Sequence, residues 1–238
     1  MIRVLAFAAA FALVGSAASA QSSRFYLRGD LGLVLGTPAV ETDVDPGSAV
    51  ASLGPTTING TYGTGMMFDA GVGFRAFSFL RLEGTIGYLP SLAFKGNFGN
   101  TPAAYTQGTV SALVGLASAN VDIAALTGRL PGGVQPFVLG GLGFATVTNS
   151  REDDYSGKGV FNGSISGSTQ TNLAWTVGGG IGIPVYDRLT LDLTYHWLNL
   201  GERKVGPTLL FNGATALTTY DRADLRAHSL MVGLRYQL

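Results

Sequence analysis

Two histidines, His196 and His228, are the only imidazoles in the 238 residues, and Ser229 directly follows the second. With carboxylates spread along the chain, this raises serine–histidine–carboxylate hydrolysis, which needs a base within hydrogen-bond reach of its nucleophile. The sharp G-x-S-x-G turn that often presents such a serine is absent. The absence of cysteine removes thiolate nucleophiles, thiolate metal sites and disulfides. Glu41, Asp43 and Asp45 offer oxygen ligands ahead of Pro46-Gly47, but the rest of a calcium loop is missing. Arg151-Glu152-Asp153-Asp154 reads as a solvated turn. Gly178-Gly179-Gly180-Ile181-Gly182 lacks the G-x-G-x-x-G spacing and the following helix of a phosphate loop. The expectation is therefore no catalytic residue, no metal site and no cofactor.

The charges that remain fall at alternate positions of apolar segments. They are Arg28, Asp30, Asp69, Arg75, Arg81, Glu83, Asp122, Asp192, His196 and Arg235. No lysine is among them; Lys95, Lys158 and Lys204 all fall in the intervening spacers. Arginine forms planar, bidentate pairs with carboxylates and tolerates desolvation better than lysine. Such a set suits the inside of a narrow barrel, paired in layers near its lower end.

The elements that must position these residues have a period of two. Leu189-Thr190-Leu191-Asp192-Leu193-Thr194-Tyr195-His196-Trp197 alternates apolar and polar residues without a break. A helix would need a period of 3.6. Eight such segments are expected, at 24–34, 65–76, 79–89, 109–125, 136–148, 172–185, 189–199 and 224–238. Within the fourth, the Ala/Ser-rich run from Ser111 to Ala125 also admits helix or loop. Long spacers (35–64, 90–108, 149–171, 200–223) alternate strictly with short ones (77–78, 126–135, 186–188). Short turns on one side and long loops on the other are the pattern of a transmembrane β-barrel, with both termini on the short-turn side.

Alternation alone does not say which face is inside. Aromatic residues do. Phe68, Tyr88, Phe144, Trp175, Tyr195 and Trp197 fall on the apolar face at one level, and Phe79, Tyr186 and Tyr236 fall near the short turns. Two levels about 25 Å apart match the girdles that flank a membrane barrel's apolar band. The apolar face is thus expected to meet lipid, which places the charges inside.

Composition narrows the function classes. Lys+Arg and Asp+Glu are equal at 15 each, which excludes a nucleic-acid binder of the usual basic kind. Residues 1–20 read as a cleaved export signal: Arg3, the apolar run Val4–Val14, and Ala18-Ser19-Ala20 as the cleavage pattern. Residues 21–238 are then one β-barrel domain.

Pro136-Phe137-Val138-Leu139-Gly140-Gly141-Leu142-Gly143-Phe144, Trp175 with Gly178–Gly182, Leu189–Trp197 and the closing Val232-Gly233-Leu234-Arg235-Tyr236 resemble the small outer-membrane β-barrel family of Gram-negative bacteria. That family includes OmpA-like barrels, opacity proteins and related surface antigens. The resemblance implies an eight-stranded antiparallel barrel in the outer membrane, in contact with outer-membrane lipids and lipopolysaccharide. It also implies insertion by the outer-membrane assembly machinery through the last strand, although this chain ends in Leu238 where such proteins usually end in Phe. The expected role is non-enzymatic: a monomer that supports the envelope and presents its loops as a surface antigen or adhesin. A small passive or gated pore is the alternative, and a lipid-modifying enzyme the third.

Overall fold

The computed structural model describes residues 24–42, 57–98, 101–128, 130–206, 208–211, 214–217 and 221–238. The expected leader and the carboxylates Asp43 and Asp45 lie outside them. Strands account for most of what is described. In chain order they are β1 (Phe25–Gly36), β2 (Pro38–Thr42), β3 (Thr57–Tyr62), β4 (Thr64–Arg75), β5 (Leu80–Phe98), β6 (Thr101–Asp122) and β7 (Gln135–Asn149). Then follow β8 (Glu152–Tyr155), β9 (Phe161–Ile165), β10 (Thr169–Tyr186), β11 (Leu189–Val205), β12 (Thr208–Phe211), β13 (Ala214–Leu217) and β14 (Asp221–Gln237). The Ala/Ser-rich run is strand as far as Asp122, and one helical turn, Ala124–Thr127, follows it.

Eight of these strands close a ring. The antiparallel pairs run β1–β4–β5–β6–β7–β10–β11–β14 and return to β1. One row of paired residues passes Tyr26, Gly73, Glu83, Ser118, Gly141, Thr176, Leu198 and Ala227, and meets β1 again ten residues on, at Gly36. Eight strands with that shear tilt about 40° from the barrel axis, and their interior is just wide enough for side chains. Each residue then climbs about 2.5 Å along the axis.

The polarity of the wall reverses part-way up. Low on β11, Leu191, Leu193, Tyr195 and Trp197 face out, while Asp192, Thr194 and His196 face in. Above Trp197 the order changes: Leu198 and Leu200 are buried inside, and Glu202 is exposed. On β14 the outward run Tyr236, Leu234, Val232, Leu230 gives way to Arg226, Asp224 and Arg222, and the inward run Arg235, Ser229 gives way to Ala227, Leu225 and Ala223. On β5, Arg81 and Glu83 face in below, Leu89, Leu92 and Phe94 above. An outward apolar face is stable only in lipid and an outward charged face only in water. The reversal therefore marks where the barrel leaves the membrane on its long-loop side.

Above that level the described parts of the spacers expected as loops are largely strand. β5 and β6 run through almost the whole of 90–108 and stay paired past a bulge at Leu89/Leu92. The hairpin β2–β3 packs between β14 and β5, and the hairpin β8–β9 extends the sheet beyond β6. These segments were illegible as strands because their apolar residues face inward in water, opposite in phase to the membrane-spanning half.

Candidate functional site: the lumen and its extracellular extension

The lower lumen is filled by ion pairs. Arg28 donates to both oxygens of Asp30, at 2.8 and 2.7 Å, and reaches Glu83 Oε2 at 2.5 Å. Tyr26 Oη donates to the other Glu83 oxygen at 2.5 Å, which Arg81 also approaches at 3.1 Å. Arg81 continues to Asp122, with Nε 2.9 Å and Nη2 2.8 Å from Oδ1, and lies over the Phe137 ring. Arg235 pairs with Asp192 at 3.2 Å and lies over Tyr26. All these side chains are buried. Three of the expected charges, Asp69, Arg75 and His196, make no ion pair among the described residues. Asp69 lies across from Asp30 in register, and its buried Oδ1 has no partner among the described residues. Arg75 is half-buried at the strand end and makes no ion pair among the described residues, because it precedes the short turn where the wall opens to water.

At mid-height the lumen narrows to a cavity of about 30 Å³, lined by Arg28, Asp69, Thr176, His196 and Ser229 among others. That is room for little more than one water. His196 sits opposite Ser229 in register, but its Nδ1 faces Thr176 Oγ1 at 3.4 Å and its Nε2 has no partner among the described residues. His228 lies on the other side of the wall, its Nδ1 2.7 Å from Tyr195 Oη. The two histidines are thus separated by the wall, and no serine–histidine–carboxylate relay forms among the described residues. Nor, among the described residues, do three or more His, Asp or Glu side chains gather where a metal ion could bind.

Above the cavity comes an apolar layer that includes Val34, Met67, Leu89, Leu92, Val114, Ala145, Val147, Leu198, Leu200 and Leu225. A second ionic cluster closes the top. Arg203 is buried between Glu41 and Glu152, 2.7 Å from Glu41 Oε1 and in contact with Glu152, and its guanidinium lies 3.9 Å over the Phe94 ring. Glu152 therefore belongs to a buried pair and not to a solvated turn, and Glu41 holds a guanidinium. The Arg203 phase was hidden by the bulge between Asn199 and Glu202, which shifts the alternation by one residue. Burial pushes the Tyr62 phenol beside this cluster up to about 12. Burial likewise raises the Asp154 carboxyl to about 6, opposed by a hydrogen bond from Thr106 and reinforced by Glu41 and Asp153.

One stretch of wall is built differently. Main-chain pairing of β10 with β11 ends at Trp175/Asn199, although both strands continue. Side chains span the gap: Asn172 Nδ2 donates to the carbonyls of Leu200 (3.0 Å) and Glu202 (2.8 Å), Gln170 Nε2 to Glu202 (2.8 Å), and Ser168 Oγ to Lys204 (2.5 Å). Gly201, at φ +81°, leaves the space that Asn172 fills.

The expected aromatics all face outward. Phe68 and Tyr88 are register partners, Trp175 meets Trp197 edge-on with ring centroids 5.0 Å apart, and Phe144 and Tyr195 are exposed. Tyr236 is exposed near the short turns, in register with Leu27 and Leu189, and the rings of Phe25 and Phe74 pair at the same end of β1.

Comparison with known proteins agrees with this architecture. No curated protein matches the chain. Among solved structures, the outer membrane protein OprG from Pseudomonas aeruginosa is similar at 12% identity and a TM-score of 0.53, over 92% of this chain and 97% of that one. Neisserial surface protein A is similar at 18% identity and a TM-score of 0.41, over 91% and 98%. Ail, the attachment invasion locus protein of Yersinia pestis, is similar at 10% identity and a TM-score of 0.38, over 90% and 98%. Residues 5–237 match the family described as outer membrane protein beta-barrel domain, so the chain belongs to that family and is a protein of the Gram-negative outer membrane.

Proposed function

We propose that the protein is a non-enzymatic, non-conducting barrel that reinforces the outer membrane and carries a strand-built extracellular platform as a surface antigen or adhesin. The observation that supports this reading is the filled lumen: an ion-pair layer, an apolar layer and the Arg203 cluster follow one another along the axis. Buried charges are expensive unless paired, and an apolar layer holds no continuous water, so neither layer suits permeation. The platform is tied together by the β2–β3 and β8–β9 pairings and by stacked Tyr105 and Tyr155, which favours presentation of a fixed surface. The test is conductance of the refolded barrel in planar lipid bilayers. A folded but silent barrel is expected. Steady single-channel steps that change with Glu83→Gln would overturn the non-conducting reading in favour of a small pore.

A further inference from the structure

Above the reversal of polarity most of the outward wall is neutral. The first outward residues past the apolar band are Thr64 on β4, Ser111 and Thr109 on β6, Thr146 and Thr148 on β7 and Thr171 and Thr169 on β10. Several of these hydroxyls are bonded to one another across strands. The sector formed by β11 and β14 differs. There Arg226 pairs in register with Asn199, two residues above the Trp197/His228 row, and Arg222 pairs with Lys204. Arg222 lies four residues beyond Arg226, so the three cations form an outward column about 10 Å tall that starts at the edge of the apolar band.

These cations are only partly neutralised. Arg226 is held by Asp224 at 2.7 Å, but both are about half exposed. Arg222 and Lys204 share the single carboxylate of Glu202, at 3.9 and 3.8 Å. Among the described residues, three cations therefore face two carboxylates. A guanidinium with one carboxylate contact keeps free N–H donors, and a loosely held ammonium keeps all three of its own. Beneath them the wall offers Leu230, Val232 and Leu234 on β14 and Leu33 and Leu35 on β1, all exposed. Elsewhere on the described wall above the band, Lys95 is held over the Tyr105 ring.

We infer that the β11–β14 sector binds a phosphorylated lipid of the outer leaflet, with acyl chains along the apolar strip of β14 and β1 and headgroup phosphate against Arg226, Lys204 and Arg222. A free anion would need the cations alone; the continuous apolar strip directly below them is what favours a lipid. This inference needs the barrel to lie in the membrane and is independent of whether the lumen conducts.

The test uses the full refolded barrel in phosphatidylcholine nanodiscs containing a minor fraction of lipid A, or of the same lipid with its phosphates removed. Lipid retained on the protein after detergent extraction is quantified by native mass spectrometry. Preferential retention of the phosphorylated form by about fivefold is expected, the scale of the one interfacial cation left without a counter-charge. It should fall to near parity in the triple variant R222Q/K204Q/R226Q and stay unchanged in Lys95→Gln. These substitutions are on the surface, and heat-modifiable gel mobility verifies folding. Equal retention of the two lipids by the wild type, or an unaltered preference in the triple variant, overturns the inference. Displacement of the lipid by millimolar inorganic phosphate would also overturn it, by making the sector a site for free anions.

Discussion

Arg81 and Asp122 stand 41 positions apart in the chain and meet inside the barrel, with Nε and Nη2 of the arginine 2.9 and 2.8 Å from one carboxylate oxygen. The same guanidinium reaches Glu83, which Arg28 and Tyr26 also hold, so a single carboxylate ties β1 to β5. Glu83→Gln leaves two buried guanidiniums short of a counter-charge. It should lower stability by about 3–5 kcal/mol, the usual effect of breaking a buried pair. Tyr26→Phe removes one neutral donor and should cost about 1–2 kcal/mol. Urea midpoints of the refolded barrel in detergent measure both. Equal, small effects would show that the lower layer does not hold the strands together.

Two glycines should behave oppositely. At Gly201 the backbone is left-handed, and an added Cβ would meet Asn172 Cβ at 2.4 Å. Gly201→Ala should destabilise by about 1–3 kcal/mol. At Gly84 an added Cβ has nothing within 4 Å. Gly84→Ala should be neutral or mildly stabilising in the same urea titration, since alanine restricts the unfolded chain.

This contrast bears on what the chain discloses before it folds. The membrane-spanning half was legible because one rule, apolar out and polar in, holds along β11 from Leu189 to Trp197 and, with only Met231 departing from it, along β14 from Leu230 to Tyr236. The partners Arg235–Asp192 and Arg81–Glu83 follow from alternation plus adjacency of strands. The extension was not legible, because crossing the membrane surface exchanges the roles of the two faces: Leu225 and Arg226 have swapped sides relative to Leu234 and Arg235. Arg203 was hidden further by a bulge, and Tyr26 because an aromatic on a strand reads as lipid-facing until register places its hydroxyl on Glu83.

The extension should respond to pH. Asp154 has its carboxyl raised to about 6 by burial, above the ordinary carboxylate value of 3.8. Its contribution to stability is therefore complete below the ordinary value and is lost as pH rises through about 6. Hydrogen exchange at the β8 amides, corrected for intrinsic rates, should show weaker protection at pH 7.5 than at pH 5. Asp154→Asn, which stays neutral, should remove most of that difference. An unchanged difference in the variant would assign the effect to other carboxylates.

The outward tryptophans report depth. Trp175 and Trp197 lie about 16–20 Å above the level of Tyr26 if each residue climbs about 2.5 Å. Their emission should be blue-shifted and most strongly quenched by lipids brominated near the carbonyl end of the acyl chain. Quenching that peaks at the chain ends would place the band differently and contradict the girdle assignment.

Most of this wall is closed by main-chain hydrogen bonds, which nearly every amino acid supplies alike. Between β10 and β11, over Ser168, Gln170 and Asn172, closure is written in side chains instead. There a single codon change alters the strength of the wall itself while strand order, register and lumen are preserved. As the gene diverges, that stretch can loosen or tighten by drift or selection, independently of the rest of the barrel.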